Sequence, residues 1–88
     1  AATHQEWETM TETIQSCHPS LYLFLQKHKL SDLKFKVCIL SYLGFDNPTI
    51  ATLADANKGS IPNARTSLAK ELFNLKSAHE LDGYLRKI

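Results

Sequence analysis

Four histidines and two cysteines are the side chains best suited to hold a metal or act as nucleophiles, and their spacing supports neither role. His4, His18, His28 and His79 are scattered along the 88 residues, and Cys17 and Cys38 stand 21 positions apart. Cys17 is followed at once by His18, but no further ligand joins them at chelating spacing, so no zinc site is expected. The two also make no nucleophile–base pair, because neighbours on a helix point about 100° apart. Three glycines form no phosphate-cradling loop, and no carboxylate pair falls at an expected cleft. No catalytic residue, metal or cofactor is expected, and the chain reads as something other than an enzyme.

What remains is recognition chemistry, concentrated in "TIATLADANKGSIPNARTSLAKEL" (49–72). Residues 47–76 carry four cations against two anions, whereas residues 1–29 carry two lysines against three glutamates. The whole chain is only +1, so no global field marks it as a polyanion binder. On a helical wheel starting at Ser60, the apolar stripe is Ile61, Ala64, Leu68, Leu72 and Leu75. Pro62, Asn63, Thr66 and Lys70 face away from that stripe, Ser67 and Asn74 lie to one side, and Arg65 sits on its flank.

The elements that must position these residues are all helical, since no segment alternates with period two. Trp7, Met10, Ile14 and Cys17 form one stripe of a first helix. Pro19 pushes His18 toward an extended conformation and then opens a second helix, "PSLYLFLQKHK". That helix is apolar nearly all round in its first two turns, and is expected to be central to the core. Ser31 and Asp32 open a third helix, with Leu33, Val37, Leu40 and Gly44 on one face, Ile39 and Leu43 beside them, and Gly44 as its stop. Asp46 caps a fourth helix over 47–56, with Asn47 and Pro48 in its first turn and Ile50, Leu53 and Ala54 inward. Ser60 caps a fifth over 60–75. "SAHE" (77–80) has the Ser-x-x-Glu form of a capping box and opens a sixth, with Leu81, Leu85 and Ile88 inward. The fold class is therefore all-α: six short helices in one domain, 1–29 a helical lead-in and 30–88 the core.

With 43% hydrophobic and 22% charged residues, the composition is that of an ordinary globular chain. Two sparse cysteines beside apolar runs read as buried thiols rather than a disulfide framework. The start, "AATHQEWETM", has neither a basic region nor an apolar core and is no signal peptide. The longest apolar runs, "LYLFL" and "VCIL", are far short of the roughly 20 residues of a membrane span. A soluble, cytoplasmic protein is expected. The first residue, Ala1 rather than methionine, suggests a fragment of something longer.

From Leu30 to Leu72, "LSDLKFKVCILSYLGFDNPTIATLADANKGSIPNARTSLAKEL" resembles the LuxR/NarL-type (GerE-like) helix-turn-helix output domain. The landmarks are Leu30, Ser31, Gly44, Ile50-Ala51, Leu53, Ser60-Ile61, Arg65, Lys70 and Leu72, in register without a gap. The preceding "WETMTETIQSCHPSLYLFLQKHK" is similar to the helical lead-in found when such a domain closes a larger regulator. The resemblance implies a sequence-specific DNA-binding module of a bacterial transcription regulator, joined to an upstream sensor domain and commonly a homodimer through its last helix. Helix 60–75 would enter the major groove and helix 47–56 would cross the backbone, offering N-terminal amides to a phosphate. The DNA-contacting residues so implied are Asn47, Thr49, Lys58, Ser60, Asn63, Arg65, Thr66 and Lys70, and the dimer contacts are Leu81, Tyr84, Leu85 and Ile88.

The sequence also departs from that family. Pro62 and Thr66 stand where Lys or Arg is frequent, Pro48 at another frequently basic position, and Asp46 where a Ser is usual. Lys34 replaces an acidic residue, so one internal pair is expected to be missing, and Glu71 replaces a basic one. Fewer phosphate-facing cations weaken DNA binding at physiological salt. What is left is Asn63 for an adenine edge, Arg65 for phosphate or guanine, and Lys58, Lys70 and Lys76 for phosphates. Each has a plainer reading: Asn63 a solvated first-turn residue, Arg65 the partner of an acidic neighbour, the lysines a solvated face. The stripe of the last helix equally suits packing within the chain. The competing function is a degenerate helix-turn-helix that serves as a protein-interaction or dimerisation module without binding DNA.

Overall fold

The computed structural model describes all residues 1–88 and is entirely helical: α1 His4–Cys17, α2 Pro19–Lys27, α3 Asp32–Tyr42, α4 Asn47–Leu53, α5 Ser60–Phe73 and α6 Leu81–Arg86, with a 3₁₀ turn at Ala78–Glu80. The helices begin where the local chemistry allows. The Thr3 hydroxyl accepts from the Glu6 amide at 3.1 Å while the Thr3 amide donates to Glu6 Oε1 at 3.0 Å, a complete capping box. Ser31 Oγ accepts from the Lys34 amide at 3.3 Å, and Asp46 Oδ1 from the Thr49 amide at 3.0 Å. Pro19 and Pro48 both sit in first turns, where a missing N–H removes no helical bond.

The stops are equally local. Gly44 has φ +93°, which a side chain would resist, so the chain turns out of α3 there. α4 ends at Leu53, three residues before the sequence-based limit, because Ala54 closes it and Asp55 takes φ +54°. α5 ends at Phe73 rather than at residue 75. Asn74 adopts the left-handed conformation (φ 55°), and the amides of Asn74 and Leu75 turn back to the carbonyls of Lys70 and Ala69.

The core is one cluster, with α3 at its centre. Val37, Cys38, Ile39, Leu40 and Ser41 are all buried in succession, so the middle of this helix is enclosed on every side. Ile50 and Ala51 of α4, Ile61, Ala64, Leu68, Ala69 and Leu72 of α5, and Leu81 and Leu85 of α6 close around it. Each fully buried Leu or Ile contributes about 1.5–3 kcal/mol relative to exposure. Trp7 and Ile14 of α1 with Leu21 and Leu25 of α2 form the second half of the cluster. The α1–α2 joint is fastened to α3 by a 2.9 Å hydrogen bond between His18 Nδ1 and the Tyr42 hydroxyl. Phe24 stacks on Phe73 at a centroid distance of 5.5 Å, and Tyr84 lies tilted against Phe73 at 5.3 Å, linking α2, α5 and α6.

Five sequence-based expectations fail here. α2 is not central: only Leu21 and Leu25 are buried, and Leu23 is 66% exposed, because the helix covers the core from one side. Cys17 is exposed at the last turn of α1, so only Cys38 is a buried thiol. Ser60 does not cap α5; it lies in the first turn behind Gly59, and no side chain caps that helix. Ser77 forms no capping box, because the chain enters a 3₁₀ turn there before α6 begins. Leu43 and Ile88 face solvent rather than the core.

Candidate nucleic-acid interface

α4 and α5 contact each other and bury Ile50, Ala51, Ile61 and Ala64 in the shared core, and the turn 54–59 between them carries exposed Lys58. The hydrogen bonds of α5 sort its polar side chains into two groups. Arg65, Ser67 and Glu71 are engaged within the chain. Asn63, Thr66 and Lys70 are exposed and take part in no side-chain hydrogen bond or ion pair. Three threonine hydroxyls elsewhere, those of Thr9, Thr13 and Thr52, donate to the carbonyl four residues back, whereas the Thr66 hydroxyl does not.

Arg65 belongs to the interior rather than to the outer face. Its guanidinium donates to Ser41 Oγ at 2.7 Å and to Asp82 Oδ1 at 3.0 Å, and its side chain is only 13% exposed. Ser41 is the one buried polar residue, and Arg65 satisfies it. One planar fork thus ties α5 to α3 and α6, a geometry lysine could not reproduce. Arg65 is therefore withdrawn from any phosphate or guanine, and the role implied for it by the resemblance does not fit its position. Beside this network Cys38 is held as a neutral thiol, pushed up to about 12 by burial and then by the Asp82 carboxylate.

Glu71 is likewise spent. Its carboxylate lies 2.7 Å from Lys34 Nζ on α3, with the Ser67 hydroxyl 3.5 Å away. The internal pair expected to be missing at Lys34 is present, with its partner on α5. The segment from Ala56 to Lys70 contains no carboxylate, so the outer face of α5 carries no uncompensated anion. Lys58, Lys70 and Lys76 are exposed and unpaired, and a shallow cleft of about 390 Å³ runs between Thr66, Lys70, Asn74, Leu75 and Lys76.

α4 offers less than the resemblance implies. The Thr49 amide is already bound to Asp46 Oδ1, the Ile50 amide to the Asp46 carbonyl, and Pro48 has none. Asn47 alone keeps a first-turn amide without an intramolecular acceptor. Hydrogen bonds from the Thr49 hydroxyl and then its amide hold the Asp46 carboxyl below the usual carboxylate range, so it stays charged where a phosphate would approach. The Ser60 and Ile61 amides turn back to the carbonyls of Asn57 and Lys58 in the same way. Any contact made by this unit is therefore carried by side chains more than by helix-end amides.

The last helix divides. Leu81 and Leu85 are spent on the chain's own core and cannot meet a second copy, while Tyr84 and Ile88 remain 38% and 39% exposed. No group of three or more His, Cys, Asp or Glu side chains lies close enough to hold a metal ion. No helix is long and apolar enough to cross a membrane. In comparisons with known proteins, no family model, curated protein or solved structure matches the chain.

Proposed function

We propose that the chain is a DNA-binding module, with α5 lying in the major groove through Asn63, Thr66 and Lys70 and with Lys58 and Lys76 on flanking phosphates. The observation that carries the reading is the sorting of α5: outward Asn63, Thr66 and Lys70 are polar or cationic and unengaged, while Glu71, its one anion, is neutralised by Lys34. The resemblance to LuxR/NarL-type output domains supports it in a further way. Lys34 and Glu71 are two departures from that family of opposite sign, and they lie against each other, so the second compensates the first. In this reading the chain is the output part of a bacterial transcription regulator that acts in the cytoplasm under a sensor domain of the same polypeptide. A homodimer through α6 would rest on Tyr84 and Ile88 alone.

The test is an amide NMR titration with a generic duplex at low salt and again at about 150 mM, where screening is physiological. Shifts confined to 58–70 and 76 that fade with salt support the reading. A spectrum unmoved at low salt defeats it. The second reading, a protein-interaction module on the same scaffold, draws on the withdrawal of Arg65 and the charged Asp46 at the start of α4. It predicts that the same α5 residues are protected from hydrogen exchange in the intact parent protein.

A further inference from the structure

The residues left free on α5 specify more than DNA in general. We infer that this face reads A·T base pairs, with Asn63 on an adenine edge and the methyl group of Thr66 and the ring methylenes of Pro62 against thymine; the inference rests on the DNA-binding reading. Guanine in the major groove presents two acceptors and is read by the paired donors of Arg or by Lys. The arginine of α5 is folded inward on Ser41 and Asp82, and no cation stands at positions 60–64, 66 or 67. Lys70, a turn beyond Thr66, is the first exposed cation of the helix.

The central positions instead hold one carboxamide, one hydroxyl with a methyl, and one pyrrolidine ring. A carboxamide matches adenine, accepting from N6 and donating to N7 in a single plane, and the thymine methyl suits the apolar surfaces of Thr and Pro. Asn63 and Thr66 are separated by about 4.5 Å along the helix, on the order of one base-pair step. Both are exposed, and neither side chain has a competing partner within the chain, so no internal bond must break before contact. Ser67, by contrast, is turned to Glu71.

The experiment is selection of bound duplexes from a randomised library with the 88-residue chain at low salt, repeated with Asn63→Ala and Thr66→Ser. Selected sites should be enriched in adenine next to thymine. Asn63→Ala should lose the adenine preference and about ten-fold or more in affinity for the selected site, with affinity for random duplex unchanged. Thr66→Ser, which keeps the hydroxyl and removes the methyl, should relax the thymine alone. Enrichment of G·C pairs at the centre, or a preference that survives Asn63→Ala, overturns the A·T assignment while leaving DNA binding intact. Failure of the folded chain to bind any duplex overturns both.

Discussion

Lys34 and Glu71 are 37 residues apart in the chain and meet at 2.7 Å, Nζ to Oε2, across the α3–α5 contact. The pair is half open to water, with side-chain exposures of 29% and 48%, so its worth is modest. A double-mutant cycle should give a coupling of about 0.5–1 kcal/mol at low salt that shrinks at high salt. Lys34→Glu alone places two carboxylates together, and Glu71→Lys alone two ammonium groups; each should destabilise, and the exchanged pair should recover most of the loss. Chemical denaturation of the four proteins checks this. If the exchanged protein is as unstable as the sum of the singles, the two residues do not interact. Glu71→Lys alone also puts an unpaired cation on α5, so in the DNA-binding reading its duplex affinity should rise and the salt slope steepen by about one unit, whereas the exchanged pair, neutral again, should leave both nearly unchanged.

Arg65 gives the opposite kind of prediction, an effect on folding without one on recognition. Removing its guanidinium strands the buried Ser41 hydroxyl and the two-thirds-covered Asp82 carboxylate. Arg65→Ala should cost about 2–3 kcal/mol, a fall of about 10–20 °C in melting midpoint for a chain of this size. Arg65→Lys should rescue little, since one ammonium cannot hold both partners. Circular dichroism melts measure the loss. Under conditions where both proteins are folded, the salt slope of duplex binding should not change. A normal melting curve with a reduced slope would instead return Arg65 to the DNA face.

Periodicity made the fold readable, since the stripes Trp7–Ile14 and Ile61–Ala64–Leu68–Leu72 fix which faces pack, and Asp46 and Ser31 announce their helices within a residue. The free face of α5 was readable for the same reason. Pattern could not weigh partners remote in sequence. Arg65 reads as a flank cation until Asp82, 17 residues on, and Ser41, 24 back, are seen around it. A signal was there: Ser41 interrupts an apolar run and needs a donor once buried. Burial of a terminal helix also depends on what it packs against, which is why Leu81 and Leu85 serve the core while Tyr84 and Ile88 do not. Local signatures misled where two conformations compete. Thr3-x-x-Glu6 closes a box, whereas the same pattern at Ser77-x-x-Glu80 is taken into a 3₁₀ turn.

The two thiols should react as differently as their surroundings. Cys17 is exposed at the end of α1, while Cys38 is enclosed at the centre of α3 and pushed up to about 12 by burial and the nearby Asp82 carboxylate. The thiolate is the attacking species, so native protein should take up one equivalent of a thiol reagent promptly, at Cys17 by mass spectrometry. The second should follow only at the rate of global unfolding. Raising the pH to about 9 should not bring Cys38 forward, because its proton is released only near 12. Prompt labelling of both in the folded chain would mean that α3 is not enclosed.

The acid limb of stability should trace to two exposed caps. Glu6 is held below the usual carboxylate range by the Thr3 amide and then the Thr3 hydroxyl, and Asp46 by the Thr49 hydroxyl and then its amide. A carboxylate whose value is lower folded than unfolded contributes stability that is full above its unfolded value. That contribution is lost as the pH falls through the lowered folded value, so melting midpoints should drop below about pH 4. Asp46→Asn keeps a capping oxygen and removes the titration, so its midpoint should change less than that of the unaltered chain between about pH 6 and pH 2.5. Thr3→Ala, which dismantles the box, should lower the midpoint at neutral pH by about 4 °C or more, whereas Ser77→Ala should leave it nearly unchanged. Equal losses from Thr3→Ala and Ser77→Ala would show that both termini are capped alike, and an acid limb untouched by Asp46→Asn would place the titrating group elsewhere.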